Sequence, residues 1–90
     1  MPLVYVPKYM RDIDYKLLKI VDLLGGRSEI NFKLMDKLNL SPKKLENVVL
    51  SLSKENLLTL IFEGDAIIEI VLTPKAQVFL AEHILGVNKL

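Results

Sequence analysis

Twice in this chain a small hydroxylated residue stands directly before a proline, at Ser41-Pro42 and at Thr73-Pro74. A Ser or Thr hydroxyl accepts from the backbone N–H groups left without partners at a helix start. Proline suits the first helical position because its missing N–H would have no partner there anyway. Each step therefore predicts a helix that begins at that point. Between them lie two runs rich in Ile, Leu and Val, Leu57 to Phe62 and Ala66 to Leu72, flanking Glu63-Gly64-Asp65. Two strand-like runs around a Gly-containing acidic turn predict a β-hairpin. The C-terminal half thus reads helix, hairpin, helix.

The N-terminal half reads as two shorter helices. Asp12 or Asp14 can cap the first. Ile13, Leu17, Ile20 or Val21, and Leu24 recur at helical spacing, with Lys16, Lys19 and Asp22 opposite. Gly25-Gly26 stops this helix by supplying positive φ. Ser28-Glu29-Ile30 is a short extended link. Asn31 is the N-cap of a second helix with Leu34, Met35 and Leu38 inward, ending at Asn39, which tolerates the left-handed conformation of a tight turn. The third helix, from Pro42, carries a buried stripe of Leu45, Val48, Val49 and Leu52 and frays near Asn56. The last, from Pro74, has Val78, Phe79, Ala81, Ile84 and Leu85 as apolar positions and ends at Gly86.

Composition narrows the chemistry. With no Cys and one His, His83, in 90 residues, disulfides, thiolate metal sites, His-based metal sites and Ser-His-Asp triads drop out. The carboxylate pairs Asp12/Asp14 and Glu63/Asp65 read as a helix cap and a polar turn rather than as catalytic pairs, and Gly25-Gly26 lacks a phosphate-loop pattern. No enzyme and no cofactor are expected. The apolar runs are too short for a membrane helix, and the N-terminus lacks the charged and apolar regions of a signal peptide, so a cytoplasmic protein is expected. The net charge of +1 hides an asymmetry: residues 1 to 44 hold nine basic and five acidic residues, and residues 45 to 90 hold three and six. A polyanion should meet the N-terminal half.

A short helix, a tight turn, a second helix and then a hairpin is the order of a helix-turn-helix with a wing. Here the chain resembles the winged-helix family, in particular small prokaryotic and archaeal regulators of the MarR and ArsR type. The resemblance rests on Leu34 to Ser41, with Asn39 where the family usually has Gly, on Ser41-Pro42-Lys43-Lys44-Leu45 through Leu52 with Leu57-Leu58, and on Leu72-Thr73-Pro74-Lys75-Ala76, with Ala76 for Gly. It spans about residues 13 to 85. It implies a mainly α fold with a small β-hairpin wing (α+β): a three-helix core plus a C-terminal helix over residues 13–90, after an N-terminal extension of residues 1–12. It also implies sequence-specific binding of double-stranded DNA by a recognition helix at about residues 42–55, as a dimeric transcriptional regulator.

On that helix the outward positions are Lys43, Lys44, Glu46, Asn47, Leu50, Ser51 and Lys54. Lys43 and Lys44 would reach phosphates or a guanine edge. Asn47 matches the family position that often meets a base, and Asn bonds adenine bidentately. Ser41 and Ser51 flank it, Lys54 would hold the backbone, and Arg27, Lys33 and Lys37 would add phosphate contacts, which position without specifying sequence. Glu46 and the exposed Leu50 depart from this pattern, as does the wing, whose tip carries Glu63 and Asp65 with Glu69 behind them. An acidic tip repels phosphate within a Debye length of about 8 to 10 Å. The alternative is therefore a winged helix that binds protein and not DNA.

Pairing Glu63 with Ala66 would put Leu58, Leu60, Phe62, Ile67 and Val71 on one hairpin face, with Ile61, Ile68, Ile70 and Leu72 on the other. A hydrophobic fraction of 51% is high for a chain of 90 residues and predicts a homodimer. The surplus is expected on Leu3, Val4, Tyr5, Val6, Tyr9 and Met10, and on the last helix around Phe79, Leu80 and Ile84.

Overall fold

The computed structural model describes residues 11–89, with side chains described through Glu82. The elements run α1 (Asp12–Leu23), β1 (Arg27–Glu29), α2 (Phe32–Leu38), α3 (Pro42–Lys54), β2 (Leu58–Glu63), β3 (Ala66–Leu72) and α4 (Pro74–Lys89).

Three helices end in the same way. In α1 the Gly25 N–H donates to the Asp22 carbonyl and the Gly26 N–H to that of Val21 (3.0 and 2.9 Å). In α2 Asn39 and Leu40 donate to Asp36 and Met35 (3.2 and 3.0 Å), and in α3 Asn56 and Leu57 donate to Ser53 and Leu52 (3.0 Å each). Each is the paired-bond Schellman exit, which requires a left-handed residue at its turning point. Those residues are Gly25 (φ 93°), Asn39 (φ 55°) and Asn56 (φ 61°). Asn56 therefore stops α3 cleanly instead of marking a frayed end.

The helix starts follow the capping signals. Asn31 Oδ1 accepts from the Leu34 N–H (3.0 Å), and Ser41 Oγ from that of Lys44 (3.3 Å). Thr73 has two roles: its hydroxyl accepts from the Ala76 N–H (3.1 Å) and donates to the Asn56 carbonyl (2.7 Å), tying the start of α4 to the end of α3. At α1 the cap position is Arg11, not Asp12 or Asp14. Asp14, buried in the first turn, accepts from the Arg11 N–H at 2.9 Å and from its guanidinium at 3.1 and 3.2 Å. That hydrogen bond and the adjacent charge raise the Arg11 pKa above its ordinary value.

The segment after Gly26 is a strand rather than a link. β1 pairs antiparallel with β3, giving the sheet order β1-β3-β2. The Leu72 N–H donates to the Gly26 carbonyl (2.8 Å) and the Ile30 N–H to that of Ile68 (3.0 Å), extending the ladder at both ends. The hairpin turns at Gly64-Asp65, with Gly64 at φ 61° and Glu63 opposite Ala66.

Register corrects the expected hairpin faces. Phe62 pairs with Ile67, but Ile61 pairs with Glu69, so Ile68 is an extra residue on β3. This β-bulge shifts everything behind it by one position. Leu58 then faces Leu72 and Leu60 faces Ile70 on the core side, while Thr59 and Ile61 share the outer side with Val71 and Glu69. One extra residue thus brings Ile70 and Leu72 from the face assigned to them by unbroken alternation onto that of Leu58.

Leu17, Leu18 and Val21 of α1, Leu34 and Leu38 of α2, Leu45, Val48, Val49 and Leu52 of α3, and Leu57, Leu58, Ile70 and Leu72 around the sheet form one core with Ala76, Phe79 and Leu80 of α4. Tyr15 meets the Phe79 ring edge-on at 6.3 Å, joining α1 to α4. Four expectations change here. Leu18 is a core residue, and Leu24 lies exposed past the helix end. The buried face of α4 runs through Ala76, Phe79 and Leu80, leaving Val78 and Ala81 exposed. Phe79 and Leu80 are consumed inside the monomer and are not surplus surface. The helix also continues through Gly86 to Lys89. Leu3, Val4, Tyr5, Val6, Tyr9 and Met10 lie outside the described residues, as do the side chains of His83, Ile84 and Leu85.

Candidate nucleic-acid interface

Three residues separate α2 from α3: Asn39 at the Schellman exit, Leu40, which is drawn back toward the core, and Ser41 at the cap. With Leu45, Val48, Val49 and Leu52 buried, α3 turns its opposite side outward. At 100° per residue, Lys43, Asn47, Leu50 and Lys54 fall within about 60° of one another, diametrically across from the buried stripe. All four are exposed, as are Lys44 and Glu46. The stripe rises about 16 Å along the helix, comparable to the width of a DNA major groove at about 12 Å. Ser51 is half-buried beside it, and the Ser41 Oγ is engaged at the helix cap.

Lys43 and Lys44 occupy the second and third positions of α3, and no acidic residue shares its first turn. The positive end of a helix disfavours cations by a few tenths of a kcal/mol each. Neither lysine has an ion-pair partner among the described residues. Helix stability alone therefore gives no reason for two lysines here. Lys33 and Lys37 stand four residues apart on the exposed side of α2 and are likewise unpaired among the described residues.

Arg27 is placed differently. On β1 its Nε and Nη2 hold the Glu69 carboxylate at 2.7 and 3.2 Å. This fork-to-fork pair crosses the outer face of the sheet, 42 residues apart in sequence, and neither partner's signal in the chain announces it. It neutralises one wing carboxylate and occupies the Arg27 guanidinium. Glu63 and Asp65 remain exposed at the tip, unpaired among the described residues. Beside them Phe62 is 53% exposed. Among the described residues no group of three or more His, Cys, Asp or Glu side chains is placed to hold a metal ion, and no helix is long and apolar enough to cross a membrane.

Four helices, the turn between α2 and α3, and a hairpin that closes a three-stranded antiparallel sheet define a winged helix-turn-helix. The same fold occurs in a MepR-like protein complexed with pseudoligands, 22% identical, with a TM-score of 0.73 over 86% of this chain and 54% of the other. It occurs also in a MarR-like transcriptional regulator from Thermotoga maritima, 21% identical, with a TM-score of 0.71 over 93% of this chain and 63% of that one. The resemblance to MarR-type regulators thus holds at the level of the fold, and the chain spans between 54% and 63% of the length of these two proteins. No protein-family model matches the sequence, and no curated protein does.

Proposed function

We propose that the chain is a sequence-specific DNA-binding regulator that docks α3 in the major groove. The observation that carries this reading is the pair of exposed lysines at the start of α3, unpaired among the described residues, where the helix dipole opposes them. In helix-turn-helix proteins the first residues of this helix meet base edges. Lys43 and Lys44 contact phosphate or guanine, Asn47 one turn on reads adenine, and Lys54 holds the backbone, with Ser41, Ser51, Lys33 and Lys37 around them. Arg27 contributes least, since its charge is already offset by Glu69. The protein acts as a cytoplasmic homodimer, two α3 helices entering successive major grooves about 34 Å apart. With Phe79 and Leu80 buried, the subunit contact falls to the N-terminal segment and the distal part of α4. A regulator rather than an enzyme agrees with the MarR-like neighbour, a transcriptional regulator by description.

Salt-dependent anisotropy titrations of duplex DNA test the reading. Lys43→Ala or Lys44→Ala should each flatten the salt slope by about one unit. Asn47→Ala should relax base preference instead, at a cost of about 1 to 3 kcal/mol on the preferred site. Absence of salt-dependent binding to any duplex at low salt would refute it. One feature favours the second reading, a protein-binding winged helix: the wing tip presents Phe62 beside Glu63 and Asp65, two carboxylates unpaired among the described residues.

A further inference from the structure

Leu50 is the one apolar residue on the outward stripe of α3. It lies between Asn47 and Lys54 on the outward stripe of α3, 38% exposed, while the other four Leu and Val side chains of that helix are buried at 1% to 4%. It takes no part in the core cluster. An apolar side chain in the middle of a polar stripe weakens solubility and adds nothing to helix propensity that Lys or Gln would not. The major groove presents one apolar feature on its base edges, the C5-methyl of thymine.

We infer that Leu50 is a specificity residue that packs its branched end against a thymine methyl group. The inference rests on the docking of α3 proposed above. Asn47 and Leu50 are about 4.5 Å apart along the helix axis, close to one base-pair step of about 3.4 Å. Asn47 therefore reads an adenine and Leu50 a thymine one step farther along, and each half-site carries neighbouring A·T pairs at the position under the middle of α3. Glu46, outward on the flank of the same stripe, repels phosphate. It therefore sets the helix so that the 47/50 edge, and not the 46 edge, faces the groove floor.

The test uses the full chain and a duplex selected by it from a random library. Each thymine is replaced singly by deoxyuridine, which removes the methyl and leaves pairing intact. Wild-type protein should lose between about threefold and tenfold in affinity at one thymine per half-site and nothing at the others, the scale of one methyl group returned to water. Leu50→Ala should bind the thymine duplex more weakly by a similar factor and be indifferent to the uridine replacement, so the two changes are not additive. Because Leu50 lies outside the core cluster, Leu50→Ala should keep the domain folded, with a thermal midpoint, measured alongside, lowered by no more than a few degrees. Binding that is insensitive to uridine at every position, or a Leu50→Ala loss equal on both duplexes, would overturn the role of Leu50 and leave DNA binding standing. Failure to select any duplex would overturn the docking of α3 itself, and Leu50 with it.

Discussion

Replacing Thr73 by Ala should destabilise the domain by about 2 to 3 kcal/mol. The Thr73 side chain is buried, and its hydroxyl serves both neighbours: it accepts from the Ala76 N–H at 3.1 Å and donates to the Asn56 carbonyl at 2.7 Å. Loss of the cap costs about 1 kcal/mol. The Asn56 carbonyl loses its donor at the foot of a left-handed turn, worth about 1 to 2 kcal/mol for a part-buried bond. The missing methyl adds about 0.8 kcal/mol. These contributions share one side chain, so the total falls short of their sum. For a domain of this size it corresponds to a fall in Tm of roughly 8 to 25 °C. Urea unfolding followed by circular dichroism at 222 nm reads the change in midpoint, with the slope unaltered if only stability changes. Thr73→Ser keeps both hydrogen bonds and should stay within about 1 kcal/mol of wild type. A Thr73→Ala variant within about 0.5 kcal/mol of wild type, or a Ser variant no better than Ala, would refute the double role.

Asn39→Ala and Asn56→Ala should each cost about 1 kcal/mol or more, because Ala resists the left-handed region, whereas Gly at either position should be nearly neutral; chemical denaturation distinguishes the two substitutions. Glu63→Lys combined with Asp65→Lys should leave DNA affinity unchanged or raise it through general attraction, and a clear loss in an anisotropy titration with the fold intact would show a specific contact at the tip. Phe79→Asp should unfold the monomer rather than separate subunits, since Phe79 is buried against Tyr15 and the core. Sedimentation equilibrium of the intact chain should return a dimer at tens of micromolar, and a monomer near 10.2 kDa would refute the proposed assembly.

Most helix boundaries were legible because their causes are local; the Arg11 cap of α1 and the continuation of α4 past Gly86 were not. Ser41-Pro42, Thr73-Pro74, Asn31 and Gly25 act on backbone groups within about five residues, and the spacing of Leu45, Val48, Val49 and Leu52 fixes the side of α3 that must be buried whatever covers it. That is enough to place Lys43, Asn47 and Lys54 on the outward stripe with Lys44 exposed beside it, and so to write down the candidate interface before any contact is known. What was not legible depends on what lies across a gap in the chain. β1 becomes a strand only because β3 offers it a ladder 42 residues on, and the same neighbour engages Arg27 through Glu69. The extra residue at Ile68 reverses the expected sides of Ile70 and Leu72 because the strands maximise burial of Leu58, Leu60, Ile70 and Leu72 together, a choice no single strand can express. On α4 Val78 and Leu80 are both plausible inward residues by hydrophobicity alone. Packing against α1 turned Ala76, Phe79 and Leu80 inward and left Val78 in solvent, because close packing admits one rotation of the helix and the unbroken apolar run from Val78 to Ala81 does not choose it.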